Sequence, residues 1–194
     1  GYSSAASDVY KRQEELLKDR RGNLTLTNIN GLCRIALDKL KKTYEQDIQE
    51  KNIRIIFDNL TLSLMMEVNV EQFSKVLAGI LKNSMYALLK KSETVTFSPE
   101  IFLGLKVNKD MLEITIRDNG SGIDENIKDK IFAPFFTTKT TGEAAGVGLY
   151  LCREIVQNHR GTIEVESKKG EYTQFLITIP VYQPKTITPP KEEE

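Results

Sequence analysis

Asp118 ends a run in which Leu112, Ile114 and Ile116 recur at every second position, so a strand would turn its carboxyl toward the same inward face. An unpaired charge in an apolar interior is costly, and a carboxylate placed there needs a donor. The loop that starts with it, Asp118-Asn119-Gly120-Ser121-Gly122-Ile123, carries two glycines two positions apart. Such glycines permit positive φ and let backbone come close to a ligand. A carboxylate beside that space could accept an exocyclic amine such as N6 of adenine. A strand ending in an ordinary Asx turn would leave the same letters. Thr173 precedes Phe175, Ile177 and Ile179 by the same period and also faces inward at a strand end. Its hydroxyl could pair with Asp118 or with a ring nitrogen, although β-branched residues are common in strands for packing alone.

Asn83 stands at the polar edge of an amphipathic helical stretch. Its amide oxygen is a hard donor of the kind Mg²⁺ prefers, and a solvated polar residue is the plainer alternative. Gly142, Gly146 and Gly148 precede a second helical stretch. Backbone N–H groups at a helix N-terminus favour phosphate oxygens, and Lys139 could add a point charge. A Gly-rich loop is weak evidence by itself. Phe132-Ala133-Pro134-Phe135-Phe136 places aromatics inside a loop, either as part of a site or as a satellite core.

These groups need elements to position them. Leu32, Ile35, Ala36, Leu40 and Tyr44 predict a helix over residues 30–50. Ile53, Ile55 and Phe57 predict a strand over 52–58, and a short strand follows at 63–68. Phe73, Val76, Leu77, Ile80, Leu81, Ser84 and Leu88 form the inward stripe of a helix over 70–90, with Lys75, Gly79, Lys82 and Tyr86 opposite. Strands at 100–107 and 111–118 flank a turn at Asn108-Lys109-Asp110. Residues 119–145 read as loop with a helical piece near 124–130. A helix over 146–158 buries Leu149, Cys152, Ile155 and Val156, and Gly161 is placed to stop it. Two closing strands carry Ile163 and Val165, then Phe175, Ile177 and Ile179. The order implies a two-layer α/β (α+β) sandwich: a mixed, mainly antiparallel sheet covered on one face by helices.

The chain has 194 residues, and 40% of them are hydrophobic, which suits one domain with tails. Residues 1–23 form an N-terminal extension whose first part resembles translated adapter sequence, 24–181 form the domain, and 182–194 form a Pro-, Lys- and Glu-rich disordered tail. Lys+Arg and Asp+Glu are equal at 27 each, so no net field favours nucleic acid or an anionic membrane. No apolar run approaches a membrane span, and the expected setting of this piece is cytoplasmic, with any anchor lying upstream. Cys33 and Cys152 read as buried free thiols.

Taken together, the segments resemble the ATPase domain shared by histidine kinases, gyrase, the Hsp90 chaperone and the mismatch-repair protein MutL, the Bergerat fold. The asparagine box is similar to Lys75-Val76-Leu77-Ala78-Gly79-Ile80-Leu81-Lys82-Asn83-Ser84, and the first glycine box to the Asp118–Ile123 loop. Ile131-Phe132-Ala133-Pro134-Phe135-Phe136-Thr137-Thr138-Lys139 resembles the phenylalanine box of histidine kinases, most closely the nitrogen-regulator subgroup. Gly146-Val147-Gly148-Leu149 resembles the second glycine box.

The resemblance implies a histidine kinase catalytic domain that binds ATP and Mg²⁺ and phosphorylates a histidine on a dimerisation domain upstream or in trans, with a response regulator downstream. The site it implies comprises Asn83, Asp118, Gly120, Gly122, Ile123, Phe135, Thr138, Lys139, Gly146, Val147, Gly148, Leu149 and Thr173. Asn83 would ligate the metal. Asp118 would meet adenine N6 with Thr173 assisting through water, and Gly120 and Gly122 would make room for the base. Lys139 and the Gly146–Leu149 backbone would meet the β- and γ-phosphates, and residues 137–146 would form a lid.

Four positions depart from the family pattern. Gly79 stands where these kinases usually have an asparagine and the ATP-splitting relatives a glutamate. Ala144-Ala145 replaces a usual Gly-Thr, and Tyr86 a frequent Lys or Arg. A nucleotide-binding module or scaffold without phosphotransfer is therefore the alternative. An ATP-gated clamp is a weaker third reading. His159, the chain's single histidine, closes a buried helical stripe and reads as structural.

Overall fold

The computed structural model describes residue 5 and residues 20–59, 63–134, 136 and 148–183. The first strand, β1 (Thr25–Asn28), runs directly into helix α1 (Ile29–Thr43). Asn28 caps that helix by accepting from Gly31 N at 3.1 Å. The single helix expected over 30–50 breaks at Tyr44, and a short helix α2 (Glu45–Lys51) follows. Asn52, at φ 51°, closes α2 in the left-handed region, as asparagine does at low cost.

Strand β2 (Arg54–Asp58) and strand β3 (Met65–Val68) diverge. β3 pairs antiparallel with β1, from Thr25↔Val68 to Asn28↔Met65, in a separate two-stranded ribbon. Helix α3 (Val70–Ser92) begins at Asn69, whose side chain accepts from Gln72 N at 3.0 Å. Strands β4 (Glu100–Asn108) and β5 (Met111–Asp118) form a hairpin over a two-residue turn, with Lys109 at φ 56°. The helical piece expected near 124–130 is only a 3₁₀ turn at Lys128–Lys130. Helix α4 (Gly148–Asn158) and strands β6 (Thr162–Lys168) and β7 (Tyr172–Pro180) complete the fold.

The main sheet has the order β2-β4-β5-β7-β6. Only β2 and β4 are parallel, so the sheet is mixed and mainly antiparallel as expected. Its inward residues, among them Ile101, Leu103, Leu112, Ile114, Ile116, Phe175, Ile177 and Ile179, bury against α3 and α4. The predicted stripe of α3 is buried at every position from Phe73 to Leu88. Gly161 does not supply the left-handed turn after α4. Arg160 does, at φ 60°, whereas a Cβ on Gly161 would stand 2.5 Å from Thr178 O. That glycine lets the helix exit press against β7.

Two chain regions assigned to tails join the core. Arg21 and Gln183 are 2% and 3% exposed, and Arg21 Nη1 donates to Gln183 Oε1 at 3.1 Å. Gln183 Nε2 donates to His159 O at 2.6 Å, and Asn69 Nδ2 to Arg21 O at 2.6 Å. His159 is fully buried. Its Nδ1 lies 2.8 Å from Ile155 O, which can only accept, so that nitrogen carries the proton, and Nε2 accepts from Asn69 N at 3.2 Å. Both cysteines are free and buried, and burial pushes both thiols up to about 12, which keeps them un-ionised and inert. No helix among the described residues is long and apolar enough to cross a membrane.

Candidate functional site

Strand β5 delivers Asp118 to the end of the sheet as the period of two requires, and the residue is 2% exposed. Its Oδ1 accepts from Gly120 N at 2.9 Å. Burial pushes the carboxyl up to about 7, while the Gly120 N–H, the Ser84 hydroxyl and the charges of Lys91 and Arg117 pull it back. Ser84 Oγ is buried without a hydrogen bond of full geometry, so it acts on the carboxyl through its dipole. Thr173 is the register partner of Asp118 across β5 and β7, and it is 5% exposed. The sheet thus brings the two inward polar residues side by side.

The loop after Asp118 is held on three sides. Asn119 donates its amide to Ser98 O at 2.8 Å and accepts from Glu100 N at 2.8 Å. Ser121 N donates to Ala87 O of α3 at 3.1 Å, and Gly170 N donates to Ser121 O at 2.6 Å. The glycines fit this clamp. A Cβ on Gly120 would lie 2.6 Å from the Ala87 carbonyl carbon, and one on Gly122, at φ 65°, would lie 2.2 Å from Lys168 O. Both glycines admit protein backbone; Gly122 also lines the cavity and Gly120 does not line it.

That cavity measures about 540 Å³, within the size range of small-molecule sites. Asp118, Thr173 and Phe175 form its floor. One wall is the side of α3 opposite the apolar stripe: Gly79, Lys82, Asn83, Tyr86, Ala87 and Lys90. The loop contributes Ser121 to Asp124, and Ile127, Ile131 and Phe136 follow. Gly148 and Leu149 bring the N-terminus of α4 to the same space. Phe132 instead packs edge-on against Phe175 at 6.3 Å between centroids, as a satellite of the core. The expected site residues Phe135, Thr138, Lys139, Gly146 and Val147, and the lid as a whole, lie outside the described residues.

Sequence reasoning missed Lys90, Ile127, Ile131 and Lys169 at the cavity. Lys90 follows Asn83 by two helical turns on one face, a signal the sequence carries. Lys169 comes from the β6–β7 turn and binds Asp124 at 2.8 Å, which holds that carboxyl below the usual range. Gly79 lets Cys152 of α4 pack closely against α3, since Sγ would lie only 3.2 Å from an added Cβ.

A family model described as histidine kinase-, DNA gyrase B-, and HSP90-like ATPase matches residues 69–183. The chain belongs to this family. Its fold is similar to the solved catalytic domain of the histidine kinase ThkA, with a TM-score of 0.68 and 28% identity over 83% of this chain and 97% of that one. A mycobacterial sensor histidine kinase, MprB, shares the fold at a TM-score of 0.66 and 14% identity. Among curated proteins, cyanobacterial phytochrome A of Nostoc sp. is 35% identical over 149 residues, 75% of this chain and 18% of that protein. The sensor histidine kinase ZraS of Escherichia coli is 28% identical over 167 residues, 86% of this chain and 33% of that protein. The chain spans a third or less of these curated relatives. Within the ATPase family it is thus an ATP-binding catalytic domain of the histidine kinase type. The relatives named do not single out the nitrogen-regulator subgroup.

Proposed function

We infer that this histidine kinase domain binds Mg·ATP in the 540 Å³ cavity and donates the γ-phosphoryl group to a histidine on a separate dimerisation domain, from which a response regulator takes it. The buried Asp118 carboxyl on the cavity floor carries this reading. As a carboxylate it accepts from the exocyclic amine of adenine, with Thr173 beside it, while Ile123, Ile131 and Phe175 supply apolar contact to the ring. Asn83 offers one amide oxygen, a donor set that fits a Mg²⁺ held mainly by phosphates and water. The metal, when bound, neutralises charge on the phosphates. The open end of α4 at Gly148 and Leu149 directs backbone N–H groups to the phosphates. Phe135, Thr138, Lys139, Gly146 and Val147 remain part of the proposed site on the family resemblance.

His159 does not serve as the acceptor. It is fully buried, and both ring nitrogens are engaged. The nucleophile therefore arrives from outside the described fold, and phosphoryl transfer asks this domain mainly for positioning and charge stabilisation. Gly79 offers no side chain to activate a water, which favours transfer over hydrolysis. The same gap favours the second reading, a nucleotide-binding module without transfer. The test supplies histidine-bearing dimerisation domains of related kinases with γ-labelled ATP. Acid-labile label on the histidine is expected. Clear ATP binding without label on any of them would leave the second reading standing.

A further inference from the structure

One polar group beside the cavity has a fully determined hydrogen-bond direction. Ser167 Oγ lies 2.7 Å from Tyr172 O, 2.8 Å from Ile123 N and 3.0 Å from Thr173 Oγ1. A serine hydroxyl has one proton and two lone pairs. The Tyr172 carbonyl can only accept, so it takes the Ser167 proton. The Ile123 N–H can only donate, so it fills one lone pair. Thr173 is left with the other lone pair and must donate its own proton there. The proton of Thr173 therefore points at Ser167, and the Thr173 oxygen faces the cavity as an acceptor.

We propose that Ser167 is a positioning residue for base selection: by holding the Thr173 proton and the Ile123 N–H, it leaves Thr173 and Asp118 as two adjacent acceptors that suit a 6-aminopurine and repel a 6-oxopurine. This rests on the nucleotide reading given above. Asp118 accepts from a ring amine, and a water that donates to Thr173 still has a proton for the ring nitrogen next to that amine. A 6-oxo group turns a lone pair toward the carboxylate, and Thr173 has no proton to offer it. Without Ser167, the Thr173 hydroxyl turns and donates into the cavity, which relieves part of that repulsion. Ser167 touches no ligand and works through Thr173.

ATP and ITP differ only in this edge of the ring, so their Kd ratio reads the proposal directly. Titration of the parent, Ser167→Ala, Thr173→Val and the double variant with each nucleotide gives four ratios. The parent prefers ATP. Ser167→Ala narrows the preference about fivefold, the size of one neutral hydrogen bond. In the Thr173→Val background the Ser167 change leaves the ratio where it was. A merely structural role, in which the Ile123 loop loosens, weakens both nucleotides together and leaves the ratio unmoved, and that result overturns the proposal. An equal narrowing with and without Thr173 overturns it as well. A parent that binds neither nucleotide instead defeats the nucleotide reading itself, and this inference with it.

Discussion

Replacing Asp118 with Asn separates what the acid costs the fold from what it gives the ligand. Burial raises its carboxyl from the ordinary 3.8 to about 7, so the folded domain holds a proton over a range in which the unfolded chain has released it. The sign follows from linkage. The folded state binds more protons between those values, stability falls as pH rises from about 4 to about 7, and above that the full cost of the buried charge is carried. At ~1.4 kcal/mol per pH unit this cost has a ceiling of about 4 kcal/mol. Asn keeps an oxygen for the Gly120 N–H, and the buried Ser84 Oγ, close enough to act on this carboxyl, can accept from its new NH₂ group. Asp118→Asn is therefore expected to stabilise the ligand-free domain by about 1–4 kcal/mol at pH 8 and to make almost no difference near pH 4. Urea unfolding of both proteins at the two pH values measures it. The same variant presents a donor to the amine of adenine, and loss of a charge-assisted hydrogen bond weakens ATP by about tenfold to a hundredfold. A variant less stable than the parent at pH 8, or a stability gap that does not change with pH, would refute the burial argument. Unchanged ATP affinity would refute the placement of the base.

Three other outcomes follow from the same geometry. ATP affinity of the parent should fall by up to about tenfold per pH unit below about 7, as Asp118 takes up its proton and ceases to be a pure acceptor; calorimetric titration across that range checks it, and Asp118→Asn should show a flat profile. Gly122→Ala sets a Cβ 2.2 Å from Lys168 O at φ 65°, so it should lower stability by about 1–3 kcal/mol and also weaken ATP, because the loop must move; thermal unfolding with and without nucleotide reads both effects. Gln183→Ala removes an acceptor from Arg21 and a donor from the His159 carbonyl, at about 1–3 kcal/mol, with ATP affinity unchanged, since the pair lies away from the cavity.

The sheet and its acid were legible because both rest on short-range periodicity. Leu112, Ile114, Ile116 and Asp118 announce one face of one strand, and Phe175 to Ile179 place Thr173 on the adjoining one. The α3 stripe is legible for the same reason, and its complement became the cavity wall. The ribbon of β1 and β3 was missed because four residues, Thr25 to Asn28, carry too little pattern to declare a strand. Gly120 and Gly122 announce a missing Cβ, but the sequence does not say that the Ala87 and Lys168 backbones stand where those Cβ atoms would be. No local pattern gives the role of Ser167. Its meaning comes from Ile123, 44 positions earlier, and from the strand turn that returns Thr173 to it. Arg21 and Gln183 are 162 positions apart, and their charged and polar letters argued for tails until the fold buried them together.

That meeting of Arg21 and Gln183 closes the described fold on itself. Its first and last described segments, at Arg21 and Gln183, are pinned together at the foot of α4, beside His159. The head of the same helix opens on the cavity at Gly148, eleven residues or about 16 Å away. A clasp at the foot of that helix therefore holds both ends of the described fold while leaving the cavity end untouched.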